Sequence, residues 1–117
     1  MRKAIEETQK EFESSCERTP EYREWHRIFK REFKAYLSSK GATNVEIGKP
    51  NHFDMSGFFT SKTGQIYYFS IGDLRWSKSQ MLIRTAKDYK DYTGGSNGFA
   101  SLKSVEEFDE EFNYQVR

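Results

Sequence analysis

The polar stretch 73–97 holds most of the side chains in this 117-residue chain that could bind a charged or aromatic partner. Arg75 and Arg84 could each clamp a phosphate or a carboxylate through two parallel hydrogen bonds, because a guanidinium group presents its donors as a planar fork. Trp76 or Tyr92 could stack on a nucleobase. The candidate binding residues are Asp73, Arg75, Trp76, Arg84, Lys87, Lys90, Asp91, Tyr92, Gly94, Gly95 and Asn97.

A Gly-Gly pair marks a loop within this stretch. Gly94 and Gly95 permit left-handed backbone angles, and the amides of such a turn can cradle an anion. With the neighbouring cations, the turn would suit a nucleotide, a nucleic-acid backbone or an acidic patch on a protein. The alternative is a solvated strand and a polar hairpin loop in which Arg84 pairs with Asp91 or Asp73. The sequence leaves both interpretations open.

Asp54 and the Asp-Leu-Arg triplet at 73–75 resemble the acidic residues of the PD-(D/E)xK nucleases. In that family a first Asp and an acid-x-Lys pair hold a magnesium ion that activates water. Here Arg75 stands in place of the lysine, and an arginine is essentially always protonated, so it cannot act as a base. A degenerate metal-dependent nuclease therefore remains the enzymatic alternative. We favour a non-enzymatic protein and expect neither a metal site nor a cofactor.

The histidines and the cysteine favour neither metal chemistry nor nucleophilic catalysis. Two histidines and a single cysteine, Cys16, are too few for a structural zinc site. His26 and His52 have no neighbouring cysteine, and no Ser-His-Asp set is apparent, so both are interpreted as ordinary histidines. Acidic neighbours of Cys16 oppose formation of a thiolate. No catalytic residue is therefore nominated.

The composition is that of a folded domain. Hydrophobic residues make up only 35% of the chain and charged residues 32%, but aromatic residues reach 16%. Aromatic side chains bury large areas, and disordered chains contain few of them. The net charge of +1 argues against a DNA mimic and against a protein held to nucleic acid by bulk charge. The sequence shows neither a signal peptide nor a membrane span, so we expect a cytoplasmic protein without membrane contact.

A long amphipathic helix is predicted over residues 20–39. Thr19 is a typical N-cap, Pro20 suits the first helical position, and Gly41 supplies the stop. Apolar side chains recur at steps of three and four residues along this helix, so its stripe is predicted to be core. The stripe consists of Tyr22, Trp25, Ile28, Phe29, Phe33, Tyr36 and Leu37.

Further elements are predicted on both sides of this helix. Residues 2–18 indicate a weakly amphipathic surface helix that could pack on a partner chain, and residues 104–116 a C-terminal helix that begins with a capping box. Between the helices, residues 44–102 predict an antiparallel sheet of about four strands, with a hairpin turn at 61–64. The expected fold is α+β, a single domain over 1–117 with helices against one face of the sheet.

Aromatic side chains are expected on both faces of the sheet. One face of the hairpin must pack on the helical stripe. The other face holds Phe58. From the next strand, either Tyr68 or the set Tyr67, Phe69 and Ile71 is expected on this face. A second apolar face usually indicates another layer or a homodimer contact. Alternatively, the tyrosine hydroxyl groups face water.

Several segments resemble a group of small uncharacterised proteins of phages and other mobile elements. They are HFDMSGFF, IGDLRW and LIRTAKDYKDYTGG, followed by SN, within residues 36–102. The resemblance implies no catalytic role, but accessory phage proteins of this size often counter host defence, by blocking a CRISPR effector or by sequestering a signal nucleotide. We therefore expect a non-enzymatic counter-defence protein that binds a host protein or a nucleotide. A nucleic-acid-binding module is a further alternative.

Overall fold

The computed structural model describes residues 1–10, 19–48, 55–72 and 79–117. Its elements follow in the order α1 (Arg2–Gln9), α2 (Pro20–Ser39), β1 (Thr43–Ile47), β2 (Met55–Thr60), β3 (Ile66–Ile71), β4 (Gln80–Ala86), β5 (Gly98–Ser101) and α3 (Val105–Gln115). The predicted α+β class is confirmed. The sheet has five strands rather than about four, because the short segment before the last helix pairs as β5.

The sheet is an antiparallel meander in which each strand pairs with the next one in sequence, in the order β1-β2-β3-β4-β5. The register places Phe58 opposite Tyr68 and Tyr68 opposite Arg84. Residues directly opposite each other in a sheet point to the same face. The three side chains therefore form a row across the middle strands.

Helix α2 begins and ends where its capping residues predict. The hydroxyl of Thr19 accepts a hydrogen bond from the amide of Tyr22 at 3.3 Å, and Gly41 takes a left-handed φ of 81° just after the helix. The ring of Phe33 is fully buried at the centre of the core. It lies 4.9 Å, centroid to centroid, from Phe69 of β3. Helix α2 is thus fixed against one face of the sheet.

Helix α1 is shorter than the helix predicted over 2–18. It ends at Gln9, and Lys10 already has extended backbone angles. Residues 11–18 lie outside the described residues. The side chains of Ala4 and Ile5 are buried, and the indole nitrogen of Trp25 donates a hydrogen bond to Thr8 at 2.8 Å. The apolar face of α1 therefore packs on α2 of the same chain.

The two faces of the sheet carry separate apolar clusters. Phe59 and Phe69 join the main core, together with Phe112 of α3. On the opposite face, which we call the far face, a second buried cluster consists of Phe58, Tyr68, Leu82 and Ala86, with Ile66, Tyr89 and Phe99 packed against it. Within the described ranges, no helix has both the length and the apolar character that crossing a bilayer needs.

Candidate binding surface

Arg84 lies inside the far-face cluster. Only 8% of its surface is exposed, and its guanidinium carbon lies 4.2 Å from the centroid of the Tyr68 ring. The Tyr68 ring in turn lies 5.2 Å from that of Phe58. A cation over an aromatic face is attracted by the ring quadrupole, and the attraction grows when water is excluded. In the free chain the Arg84 guanidinium is therefore held on Tyr68.

The segment from Lys87 to Asn97, which joins β4 to β5 and which we call the β4–β5 loop, is organised by one carboxylate. Asp91 accepts a hydrogen bond from the amide of Lys87 at 2.9 Å and another from the amide of Thr93 at 3.1 Å. These two hydrogen bonds lower the pKa of the Asp91 carboxyl group, and the nearby charge of Arg84 acts in the same direction. The loop therefore has a fixed backbone conformation built around a charged side chain.

The two glycines of the loop allow close approaches that no other residue would. A Cβ atom added at Gly94 would lie 2.3 Å from the Asp91 carboxylate, and one added at Gly95 would lie 2.6 Å from the hydroxyl of Thr85. Gly95 also has a left-handed φ of 57°. The amide of Gly94 contributes to the lowered pKa of Asp91. The anion that approaches the Gly-Gly turn in the free chain is thus the side chain of Asp91.

Tyr89 fixes the loop to the sheet. Its hydroxyl shares a hydrogen bond of 2.6 Å with the hydroxyl of Thr60 on β2, and its ring lies 5.6 Å from that of Phe58. Tyr89 belongs to the polar stretch 73–97, where the sequence suggests an exposed aromatic residue, but it is half-buried. The sequence did not point to Thr60 or Phe58 as parts of the binding region. The aromatic pattern of the hairpin was the available signal, because it placed Phe58 on the far face.

Tyr92 is the aromatic residue that the loop displays. Its side chain is 63% exposed, yet its ring packs 5.4 Å from Phe58 and 6.0 Å from Tyr68. Lys87 and Lys90 are exposed on the same loop. An aromatic ring that already packs on buried rings can contact a partner without first being ordered.

The far face is covered by the chain itself, which changes both earlier alternatives for it. Tyr68 is the tyrosine that joins Phe58 on this face, whereas Tyr67 belongs to the main core. Tyr68 is only 4% exposed, so the expectation that its hydroxyl group faces water is wrong. Burial raises the pKa of Tyr68 while the charge of Arg84 opposes that rise. Because Tyr89 and Tyr92 cover Phe58 and Tyr68, burial of this face requires no second copy of the chain.

The predicted residues that follow position 79 all lie on β4 or on the β4–β5 loop. Arg84 is on β4, and the β4–β5 loop carries Lys87, Lys90, Asp91, Tyr92, Gly94, Gly95 and Asn97. The other three, Asp73, Arg75 and Trp76, lie outside the described residues, as does the Asp54 of the nuclease alternative.

The structure places Arg84 beside Asp91, as one interpretation expected, but the two side chains do not form an ion pair. Asp91 uses its carboxylate on loop amides, while Arg84 reaches the main-chain oxygen of Asp91 at 3.5 Å. Among the residues that the structure describes, no three His, Cys, Asp or Glu side chains form a group that could hold a metal ion.

Comparisons of the chain with protein-family models, with curated protein sequences and with solved structures found no match. The function of the chain must therefore be inferred from its own side chains. The β4–β5 loop and the far-face residues beneath it are the part of the structure on which that inference rests.

Proposed function

We propose that this chain is a non-enzymatic binding protein that recognises a host protein through the exposed side of the β4–β5 loop. We call this side the Tyr92 surface; it comprises Lys87, Lys90, Tyr92 and Asn97. In this proposal the host protein handles nucleic acid as part of a defence system, and binding inhibits it. The phage or mobile-element origin rests on the sequence resemblance alone.

The observation that carries the proposal is the combination of exposure and support at Tyr92. The side chain is 63% exposed, while its ring rests on Phe58 and Tyr68. Tyrosine is among the residues that contribute most to protein–protein binding energy. A ring that is already held in place loses little conformational entropy when a partner covers it. The site therefore has the properties of a preformed anchor.

The charges of the loop favour a protein partner over a nucleic-acid backbone. Between Lys87 and Asn97 there are two lysines and two aspartates, so the loop carries no net charge of its own. Binding to nucleic acid is dominated by neutralisation of phosphates and needs several basic groups in excess. An aromatic anchor with one or two flanking lysines is better suited to a mixed protein surface with some acidic groups.

The test is affinity capture from host lysate with a matched pair of variants. Tyr92→Ala removes the proposed anchor, whereas Tyr114→Ala removes a tyrosine that is 71% exposed on α3. We expect the wild type and Tyr114→Ala to retain the same host protein and Tyr92→Ala to lose it. Mass spectrometry should cover proteins and small nucleotides, because a nucleotide lost only from Tyr92→Ala would identify a different ligand.

Three outcomes would count against the proposal. One is that both tyrosine variants retain the partner equally well, and a second is that both lose it. The third is cleavage of DNA or RNA that requires magnesium or manganese and disappears in Asp54→Ala, which would support the nuclease alternative. Retention of nucleic acid with a steep dependence on salt would instead support the nucleic-acid-binding module.

A further inference from the structure

A small cavity lies on the helical side of the sheet, at the end where α2 and α3 finish. Its volume is about 230 Å³, and the turn between β2 and β3 forms one of its walls. An engineered apolar cavity of about 150 Å³ binds benzene. The cavity therefore has room for a molecule built on a single substituted ring.

Three basic side chains line this cavity, and no carboxylate side chain does. They are Lys40 after α2, Lys62 in the β2–β3 turn and Arg117 after α3. The ammonium group of Lys40 pairs with Asp109 at 2.9 Å. The side chain of Lys62 is exposed and takes part in none of the ion pairs between described residues. The main-chain oxygen of Arg117 accepts hydrogen bonds from Ser61 and Thr63 at 3.1 and 2.7 Å. The side chains of the lining thus carry an excess of positive charge, which comes mainly from Lys62 and Arg117.

The ends of the two helices explain only part of this charge. Cations are favoured at helix C-termini, because the last carbonyl groups have no partner within the helix. That reason applies to Lys40, which follows α2, and to Arg117, whose Nε donates to the carbonyl of Tyr114 at 3.4 Å. It does not apply to Lys62, which the hairpin supplies.

The remaining walls of the cavity are mainly apolar. Phe59 and Phe112 contribute rings that are almost fully buried, and their centroids lie 6.0 Å apart in a stacked arrangement. Ala42 and Val116, which are only partly buried, form the aliphatic walls that a ligand can reach. Binding sites for small molecules typically combine such apolar walls with a few convergent polar groups.

We infer that this cavity binds a small organic anion, a carboxylate or a phosphate monoester with a compact ring. The basic side chains, Lys62 in particular, hold the anionic group, and the ring lies against the partly buried side chains of Ala42 and Val116. The site is separate from the Tyr92 surface, because Phe59 and the neighbouring Phe58 point to opposite faces of the sheet. Either proposal can therefore fail without the other.

The test is a titration of the isotope-labelled chain followed by amide chemical shifts. The probes are benzoate and phenyl phosphate, and benzylamine is the control of similar shape and opposite charge. We expect at least one of the two anions to cause saturable shifts in residues 40–42, 61–63 and 113–117. Benzylamine should cause none there.

Two lysine variants separate the role of Lys62 from general surface charge. Lys62→Ala should weaken binding of the responsive anion about threefold to tenfold, which is the usual range for losing one partly exposed charged hydrogen bond. Lys34→Ala removes an exposed lysine of α2 that does not line the cavity, and it should bind like the wild type.

The inference is overturned if neither anion produces saturable shifts, or if the shifts lie elsewhere on the chain. It is also overturned if benzylamine binds as well as the anions or if Lys62→Ala binds with unchanged affinity. The spectrum of each variant without ligand reports whether its fold is intact. Should the Lys62→Ala spectrum show disruption, Lys62→Gln is the replacement variant and must meet the same expectation.

Discussion

The contact between Arg84 and Tyr68 should appear as a measurable coupling in protein stability. Arg84→Met removes the charge but keeps a long unbranched side chain. Tyr68→Leu removes the aromatic ring but keeps an apolar side chain. The guanidinium carbon lies 4.2 Å from the ring centroid, and both side chains are at least nine-tenths buried. A double-mutant cycle with these two substitutions isolates the interaction between them.

The expected coupling follows from the burial of the pair. Cation–π contacts contribute about 0.5–1 kcal/mol at exposed sites and about 2 kcal/mol or more when desolvated. With Arg84 at 8% exposure, we expect a coupling free energy of about 1–2 kcal/mol. The contact of Arg84 with the main-chain oxygen of Asp91 is 3.5 Å long and should add little, because hydrogen bonds of that length are weak.

Urea unfolding followed by circular dichroism measures the free energy of unfolding for the wild type, both single variants and the double variant. Arg84→Met alone should lower this free energy by about 1–2 kcal/mol, which corresponds to a fall in Tm of roughly 4–8 °C for a chain of this size. Arg31→Met is the control, since Arg31 is exposed on α2 and its loss should change stability by less than about 0.5 kcal/mol.

A coupling below about 0.5 kcal/mol would be indistinguishable from additivity. That result would refute the description of Arg84 as a buried cation held by the Tyr68 ring. It would also remove the basis for treating the far face as a rigid support for Tyr92.

Two further predictions concern the order of the β4–β5 loop. Gly95→Ala should lower the free energy of unfolding by at least about 1–2 kcal/mol, because an L side chain is strained at a left-handed φ and would also collide with Thr85. A Gly95→Ala variant as stable as the wild type in urea unfolding would contradict the turn geometry. Because the folded loop depresses the pKa of Asp91, the order that this carboxylate confers should be present at neutral pH and should be lost as the pH falls below its ordinary value of 3.8. Amide chemical shifts of Lys87 and Thr93, recorded from neutral to acidic pH, measure this loss. If these shifts stay constant even below the pKa of Asp91 in the folded chain, Asp91 does not organise the loop.

Local sequence patterns were sufficient to predict most of the elements. The helix over 20–39 was delimited correctly because Thr19, Pro20 and Gly41 each act within one turn of the helix end. The hairpin turn was located for the same reason, since Gly64 takes a left-handed φ of 92°. The end of α1 was missed, because no capping residue marks position 10 and because its buried face includes the small side chains of Ala4 and Thr8.

The environment of the candidate binding residues was harder to predict, because it depends on strand register. The sequence identified Arg84 and the Gly-Gly loop but not that Tyr68, sixteen positions earlier in the chain, would lie beneath the guanidinium group. The Asp91 carboxylate accepts hydrogen bonds of about 3 Å from amides of its own loop, and these contacts exist only in the folded loop. Neither composition nor spacing contains that information.

Hydrogen exchange measured on the free chain and on the chain bound to its captured host protein tests the central proposal most directly. If the Tyr92 surface is the interface, binding should slow exchange in residues 87–97 and in the adjoining strand β4, and should leave the exposed side of α2 unchanged. Equal exchange in residues 87–97 in the free and bound chains, with protection confined to the helices or to the cavity near Lys62, would contradict it.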